Sequence, residues 1–178
     1  LFIYVLKPMD LKSKQPKRSL VLAHGLEGSP HGRKASALKN CGYTLHCPDC
    51  RGLNLAQRIE KLDLIVSELQ QFVLVGSSYG GLVALWLAQR YPSKTLGLVL
   101  CAPAFQRSEA PLFENRELPN SIPGHIIHGT RDRIVPATVS QDFVAKHPHV
   151  RLELVDDDHS LAHSTPSLLR AVRPFLDR

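Results

Sequence analysis

The sequence contains no long apolar run. None of its stretches approaches the ~18 consecutive apolar residues that a membrane-spanning helix needs, so we predict no membrane span. The opening run LFIYVL has about half the length of the apolar core of a secretion signal, and no basic residue precedes it. We therefore expect no secretion signal. The chain begins with Leu1 rather than Met, which leaves open whether residues precede it.

Cysteine is scarce, and its pattern is not that of a metal site. Of the four cysteines, Cys47 and Cys50 have C-x-x-C spacing, but Cys41 and Cys101 do not form the second ligand pair that zinc would require. The C-x-x-C pair follows a predicted strand instead of opening a helix, which argues against a thioredoxin-like redox site. We therefore predict no metal and no cofactor, and expect reduced cysteines in a cytoplasmic protein.

Negative charge is scarce at the start of the chain. The net charge is +6, and residues 1–18 carry +4 of it, from five Lys or Arg and one Asp. The other residues carry only +2, so the body is nearly neutral and nucleic-acid binding is not predicted. We interpret residues 1–18 as a basic leader or linker, with residues 2–6 as a candidate edge strand. The 43% apolar and 21% charged content excludes disordered and fibrous classes.

The remaining residues, 19–178, alternate between strand and helix patterns. Strands are predicted at 19–24, 43–47, 72–76, 96–103, 125–129 and 150–155, and helices within 32–40, 54–70, 80–91, 136–147 and 165–177. The strands are apolar on successive residues, which is typical of a parallel sheet covered on both faces. We predict one α/β domain with a mostly parallel central sheet and helices on both faces. Residues 104–123 contain three prolines and no clear period, so we predict a short lid-like insertion there.

The stretch Gly76-Ser77-Ser78-Tyr79-Gly80 fits the pattern G-x-S-x-G, with Ser78 at its centre. The alternative is a plain glycine-rich turn. A phosphate-binding loop would end in Gly-Lys-Ser/Thr and a dinucleotide site would need G-x-G-x-x-G, and neither is present. The pattern lies between a predicted strand and a predicted helix. This setting favours a nucleophile elbow, in which a strained turn exposes the central serine.

A serine hydroxyl needs a base to take its proton and an acid to orient that base. Asp132 and His159 follow the last two predicted strands, so both lie where a parallel sheet brings its carboxyl ends together. Asp156, Asp157 and Asp158 are rivals for the acid, but they adjoin His159 in sequence, a poor direction for orienting its ring. Among the other histidines, His147 and His149 flank Pro148, and we expect them at the surface.

Two backbone N–H groups are candidates to stabilise the oxyanion of an acyl-transfer reaction. One is the N–H of Tyr79, directly after the predicted nucleophile. The other is the N–H of Leu26, in the loop that follows the first predicted strand. An ordinary glycine turn at Gly25 is the alternative for that loop.

Five stretches together resemble the α/β-hydrolase superfamily, over about residues 19–178: HGLEGSPHGRKASAL, CPDCRG, GSSYGG, HGTRDRIVP and DDDHS. Within it, the chain is similar to small bacterial esterases of the YqiA type. It departs from the superfamily in its reduced first strands and minimal cap. The resemblance implies a serine hydrolase that cleaves an ester or thioester of a small-molecule acyl substrate through an acyl-enzyme, with Ser78, Asp132 and His159 as its triad. A dehalogenase would have Asp at position 78.

Two questions stay open at this point. A protein with this fold that binds or scaffolds without turnover is the alternative function, although all three catalytic residue types occupy their positions. Phe105 and Phe113 are candidate contacts for the acyl group, while the alternative is that they only pin residues 104–123 to the body. A small cleft predicts short to medium acyl chains. The oligomeric state is not predicted.

Overall fold

A computed structural model describes residues 18–107 and 117–177. Within these ranges the strands are β1 (Ser19–Ala23), β2 (Thr44–His46), β3 (Phe72–Ser77), β4 (Thr95–Cys101), β5 (Gly124–Gly129) and β6 (Val150–Val155). The helices are α1 (Arg33–Lys39), α2 (Leu55–Glu68), α3 (Gly80–Arg90), α4 (Thr138–Lys146) and α5 (Thr165–Leu176). Each boundary lies within two residues of its predicted position. The candidate edge strand at residues 2–6 falls outside the described residues.

The strands form one parallel sheet in the order β2-β1-β3-β4-β5-β6. The chain first runs outward from β1 to β2 and then continues on the other side of β1 with β3. The connection after β1 therefore leads toward one edge of the sheet, and the connection after the neighbouring strand β3 leads toward the other edge. This reversal is where open α/β sheets bind ligands, outside the carboxyl ends of the strands.

Helices cover both faces of the sheet. In β1, Val21 and Ala23 face a core that includes residues of α2, α3 and α4, whereas Leu20 and Leu22 face a core built with α1 and α5. Successive residues of a strand point to opposite faces, so a strand covered on both sides is apolar throughout. The predicted α/β class with a parallel sheet is thus confirmed.

Helix α2 is the longest helix among the described residues and has a well-defined start. Asn54 accepts a hydrogen bond from the Gln57 N–H, and the Gln57 side chain accepts one from the Asn54 N–H. This capping box satisfies two backbone donors that the helix itself cannot pair. The predicted apolar face is buried at Leu55, Ile59, Leu62 and Val66. Arg58, on the same helix, is buried as well, which the apolar pattern did not predict.

The prediction that His147 is a surface residue is wrong. The side chain is 3% exposed and its ring stacks on Phe143, with ring centroids 4.1 Å apart. The Leu118 N–H donates to His147 Nε2 at 3.1 Å, and His147 Nδ1 lies 2.8 Å from the Phe143 carbonyl oxygen. His147 therefore anchors the segment around Leu118 that leads into β5. His149 is only half-buried.

The predicted insertion at residues 104–123 is described only at its two ends. Residues 108–116, including Phe113, lie outside the described residues. At the described ends, Ala104, Phe105, Leu118 and Ile122 are buried. Among all described residues, no helix is both long enough and apolar enough to cross a membrane.

Candidate active site

Ser78 lies at the tip of the turn between β3 and α3. It has φ of +51°, in the left-handed region that residues with a Cβ rarely adopt. Its N–H donates to the Cys101 carbonyl at 2.9 Å, and its carbonyl accepts from the Gly81 N–H at 2.9 Å. The turn is thus tied to the end of the neighbouring strand β4. A strained backbone conformation persists when several surrounding contacts hold it in place, as these hydrogen bonds do here.

The glycines on either side of Ser78 allow the turn to pack closely. A Cβ on Gly80 would overlap the Ala23 carbonyl oxygen at the end of β1. A Cβ on Gly76 would lie 2.7 Å from Gly81 Cα and 2.8 Å from Ala84 Cβ, on α3. The G-x-S-x-G spacing is therefore required because strand, turn and helix meet without room for side chains.

The structure brings Ser78, Asp132 and His159 together. His159 Nε2 lies 2.9 Å from Ser78 Oγ, and His159 Nδ1 lies 2.7 Å from Asp132 Oδ2. With its proton on Nδ1, the imidazole donates to Asp132 and accepts the hydroxyl hydrogen of Ser78. This arrangement can move a proton away from Ser78 Oγ.

The Asp132 side chain is fully buried, and its carboxylate is held by the turn that carries it. Oδ1 accepts hydrogen bonds from the N–H groups of Ile134, at 2.8 Å, and Val135, at 2.9 Å. These two donors leave Oδ2 facing His159. The carboxylate is thereby oriented before any substrate is present.

Sequence reasoning missed His128, a second histidine beside Asp132. Its ring is fully buried, with Nε2 2.9 Å from the Val135 carbonyl and 3.2 Å from Asp132 Oδ2. Its Nδ1 lies 2.7 Å from Ser140 Oγ on α4. The sequence signal was the four-residue spacing between His128 and Asp132 across a glycine turn. The ring links the Asp132 turn to α4.

The loop that carries His159, residues 156–164, packs directly on the Asp132 turn. The Arg131 N–H donates to the Asp157 carbonyl at 3.0 Å, and the Thr130 N–H donates to the Val155 carbonyl at 2.8 Å. A Cβ on Gly129 would overlap the Asp157 carbonyl oxygen. Backbone contacts thus fix the spacing between the acid and the histidine.

The three rival aspartates have other partners. Asp158 Oδ1 accepts from the Ser160 N–H and hydroxyl, and Asp156 pairs with Arg131 at the surface. The buried Asp157 accepts hydrogen bonds from the N–H groups of Asp158 and His163 and from the Ser164 hydroxyl. None of these contacts reaches the His159 ring. Asp157 instead shapes the loop that holds His159.

Asp157 is expected to stabilise the fold in a pH-dependent way. Burial raises the pKa of Asp157, but the hydrogen bonds from Asp158, Ser164 and His163 outweigh burial and lower the pKa to about 2. An aspartate in the unfolded chain has a pKa of about 3.9. The stabilisation by the Asp157 carboxylate is therefore complete above that pH and is lost as the pH falls toward 2. Asp157→Asn should therefore lower the free energy of unfolding at pH 6, and the deficit should shrink between about pH 4 and 2.

Urea unfolding of both proteins at several pH values measures this deficit. Asp156→Asn is the control, because the Asp156 carboxylate forms an exposed ion pair with Arg131 and such pairs contribute little. A deficit that stays constant from pH 6 to pH 2 would assign the effect of Asp157→Asn to altered packing instead of lost charge.

The loop after β1, residues 24–30, lies against the serine turn. A Cβ on Gly25 would lie 3.4 Å from both the Ser77 carbonyl oxygen and Ser78 Cβ. The next residue, Leu26, has a side chain that is 45% exposed, and Tyr79 is almost fully buried. Gly25 therefore lies next to the serine turn, and the roles of the Leu26 and Tyr79 N–H groups as oxyanion donors stay predictions.

The surroundings of Cys47 and Cys50 are those of structural residues and not of a reactive thiol pair. The Cys50 N–H donates to His24 Nε2 at 2.9 Å, and the Cys50 side chain is buried. Burial raises the pKa of Cys47 to about 11, which keeps this thiol protonated at neutral pH. Among the residues that the structure describes, no group of three metal-ligating side chains comes together.

Phe105 is 3% exposed, and its ring centroid lies 4.7 Å from that of Phe143. This contact fits the alternative in which Phe105 anchors the segment to the body. Contact between Phe105 and an acyl group stays a prediction, as does the role of Phe113.

Comparison with known proteins places the chain among hydrolases of this fold, although no curated protein matches it. A candidate hydrolase of the alpha/beta superfamily from Xanthomonas campestris pv. campestris is 27% identical, with a TM-score of 0.77 over 90% of this chain and 98% of that one. Est1E from Butyrivibrio proteoclasticus is 18% identical, with a TM-score of 0.72 over 90% and 88%. Mouse alpha/beta hydrolase domain-containing protein 10 is 21% identical, with a TM-score of 0.74 over 94% and 92%.

The last two identities are low enough that these likenesses concern the fold alone. Residues 18–125, more than half of the chain, match the family described as alpha/beta hydrolase fold. This range includes the β1 loop and the serine turn. The chain therefore belongs to the alpha/beta hydrolase fold family.

Proposed function

We propose that the protein is a serine hydrolase that cleaves carboxylic esters or thioesters through an acyl-enzyme. The observation that carries the proposal is the hydrogen-bonded series from Ser78 Oγ through the His159 ring to Asp132, with distances of 2.9 and 2.7 Å. Hydroxyl, imidazole and buried carboxylate in this order are what serine activation requires.

In the proposed reaction, Ser78 Oγ attacks the carbonyl carbon of the substrate while His159 Nε2 takes the hydroxyl proton. The carbonyl π electrons move onto oxygen, and the resulting oxyanion accepts hydrogen bonds from the N–H groups of Leu26 and Tyr79. Collapse of this intermediate expels the alcohol or thiol, which receives the proton from His159. Water then repeats the sequence on the acyl-enzyme and releases the acid. Asp132 holds the imidazole throughout.

The proposal extends to the substrate class. We infer a small, open acyl site from the resemblance to YqiA-type esterases and from the short insertion predicted at residues 104–123. Phe105 and Phe113 are the proposed acyl contacts, so short to medium acyl chains should be preferred. A solved structure of Est1E contains ferulic acid, so an aromatic ester is a useful addition to the substrates tested.

A panel of p-nitrophenyl esters of rising acyl length, with methyl ferulate and acyl-CoA thioesters, tests the proposal. We expect the largest kcat/KM on short to medium acyl chains, and its loss in His159→Gln, because that variant has no base. A preference for palmitoyl esters would contradict the proposed acyl site. Absence of turnover on every substrate, together with absence of labelling by a fluorophosphonate probe, would instead favour a protein that binds without catalysis.

A further inference from the structure

Arg58 is a buried cation that the proposed reaction does not use. It lies on α2, is 1% exposed, and its pKa is lowered because burial penalises the charged form. Removing a guanidinium from water is costly unless its donors are well paired. Within the described residues, no carboxylate forms an ion pair with Arg58. The reason for its burial must therefore lie in the groups that it does contact.

Those groups are backbone carbonyls at the edge of the candidate site. Arg58 Nε donates to the Leu53 carbonyl at 2.9 Å, next to the start of its own helix. Nη1 donates to the His24 carbonyl at 2.9 Å and more weakly to the Gly25 carbonyl at 3.4 Å. The guanidinium thus joins α2 to the first two residues of the β1 loop.

The Gly25 carbonyl is held by two further donors. The Gly28 N–H lies 3.2 Å from it, and His24 Nδ1 lies 2.8 Å from it. Because the Cys50 N–H donates to His24 Nε2, the His24 proton must be on Nδ1, where it donates to Gly25. Burial lowers the pKa of His24, which keeps this neutral form.

The orientation of the Gly25 carbonyl determines the direction of the predicted oxyanion donor. In a trans peptide the carbonyl of one residue and the N–H of the next point in opposite directions. The described residues contain no cis peptide bond. Donors that converge on the Gly25 oxygen therefore fix the Leu26 N–H.

Arg58 also contacts the segment that carries the other donor. Its guanidinium carbon lies 5.3 Å from the centroid of the Tyr79 ring, at a cation–π distance. Tyr79 is the N-cap residue of α3, and its N–H is the second predicted oxyanion donor. One buried side chain therefore contacts both segments that carry the predicted oxyanion donors.

We propose that Arg58 is a positioning residue that holds the Leu26 and Tyr79 peptide groups in register around Ser78, an inference that rests on the proposed function. A planar guanidinium can donate from separate nitrogens to carbonyls on two segments while its face covers a ring, and an ammonium cannot. The alternative is that Arg58 only ties α2 to the sheet. The two roles predict different kinetics. Misplaced oxyanion donors reduce the stabilisation of the transition state more than they reduce the binding of substrate.

The first test uses Arg58→Met, Arg58→Lys and the control Arg90→Met, with the best ester of the panel. Arg90 is an exposed arginine at the end of α3 that also lies over aromatic rings. We expect Arg58→Met to lower kcat by at least about tenfold with KM little changed, since loss of one oxyanion donor lowers kcat by roughly 10²–10³-fold. Affinity for an alkyl boronic acid, which forms a tetrahedral adduct on the serine, should fall in parallel. Arg90→Met should change neither.

Arg58→Lys keeps the charge and the apolar stem, so it tests the proposal even if Arg58→Met does not fold. Its kcat should still fall several-fold, because one ammonium group cannot replace the separate N–H donors of the planar guanidinium. Wild-type kcat and boronate affinity in a folded Arg58→Lys protein would overturn the proposal. A loss that appears only in KM, or only in the free energy of unfolding, would overturn it as well.

A second measurement separates failure of this inference from failure of the proposed function. If the wild-type protein hydrolyses no ester, the proposed function fails, and the amide NMR signals of Leu26 and Tyr79 still report on Arg58. In Arg58→Lys both signals should shift while amides of the distant strand β6 stay unchanged. Unshifted Leu26 and Tyr79 signals would overturn the positioning role irrespective of activity.

Discussion

Replacing Ser78 by alanine is expected to abolish ester hydrolysis, with kcat falling by about four orders of magnitude or more. The substitution removes the proposed nucleophile, the hydroxyl oxygen that lies 2.9 Å from His159 Nε2. Residual turnover would come from binding and the oxyanion donors alone. Steady-state kinetics on a short p-nitrophenyl ester measure the loss, and circular dichroism shows whether the variant stays folded.

Ser77→Ala is the matched control for this prediction. Ser77 has the same side chain, precedes Ser78 directly and ends β3, but of the two serines only Ser78 has the positive φ that lifts its hydroxyl from the strand. Ser77→Ala should therefore keep most of the activity. Loss of activity in Ser77→Ala with retention in Ser78→Ala would show that the elbow has been assigned to the wrong serine.

Asp132→Asn is expected to lower kcat by about 10⁴-fold while the protein stays folded. The N–H groups of Ile134 and Val135 both donate to Oδ1, so the amide oxygen of the asparagine should take that position. Its NH₂ group then faces His159 Nδ1 and donates to it. The imidazole proton is forced onto Nε2, where the ring can no longer accept the Ser78 hydroxyl hydrogen.

The matched control is Asp158→Asn, next to His159 in sequence. Asp158 is exposed and accepts hydrogen bonds from Ser160, so its replacement should change kcat little. Comparing kcat for the two variants at neutral pH decides whether Asp132 or Asp158 orients the His159 ring. An active Asp132→Asn protein together with an inactive Asp158→Asn protein would transfer the orienting role to Asp158.

The fold and the positions of Ser78, Asp132 and His159 could be predicted because each depends on local pattern. Strands apolar on successive residues indicate a parallel sheet, and a parallel sheet brings the carboxyl ends of its strands to one edge. Residues that follow β3, β5 and β6 must therefore meet near that edge. The 2.7 Å contact between His159 and Asp132 is a consequence of this topology.

The supporting residues could not be predicted, because their roles depend on tertiary contacts. Arg58 lies on the buried side of α2, yet a charged residue in a helical pattern is ordinarily assigned to the solvent face. His147 follows a helix and precedes a proline, which is typical of a surface loop. Its burial depends on Leu118, 29 residues earlier in the chain. No local periodicity contains that information.

The proposed acyl-enzyme mechanism depends on an activated Ser78, and one measurement tests this most directly. The wild-type protein is incubated with a fluorophosphonate, digested, and its peptides are analysed by mass spectrometry. We predict a single phosphonyl adduct on Ser78, absent when His159 is replaced by glutamine. An adduct on Ser77 or another residue, or no adduct on the folded wild-type protein, would contradict the proposed mechanism.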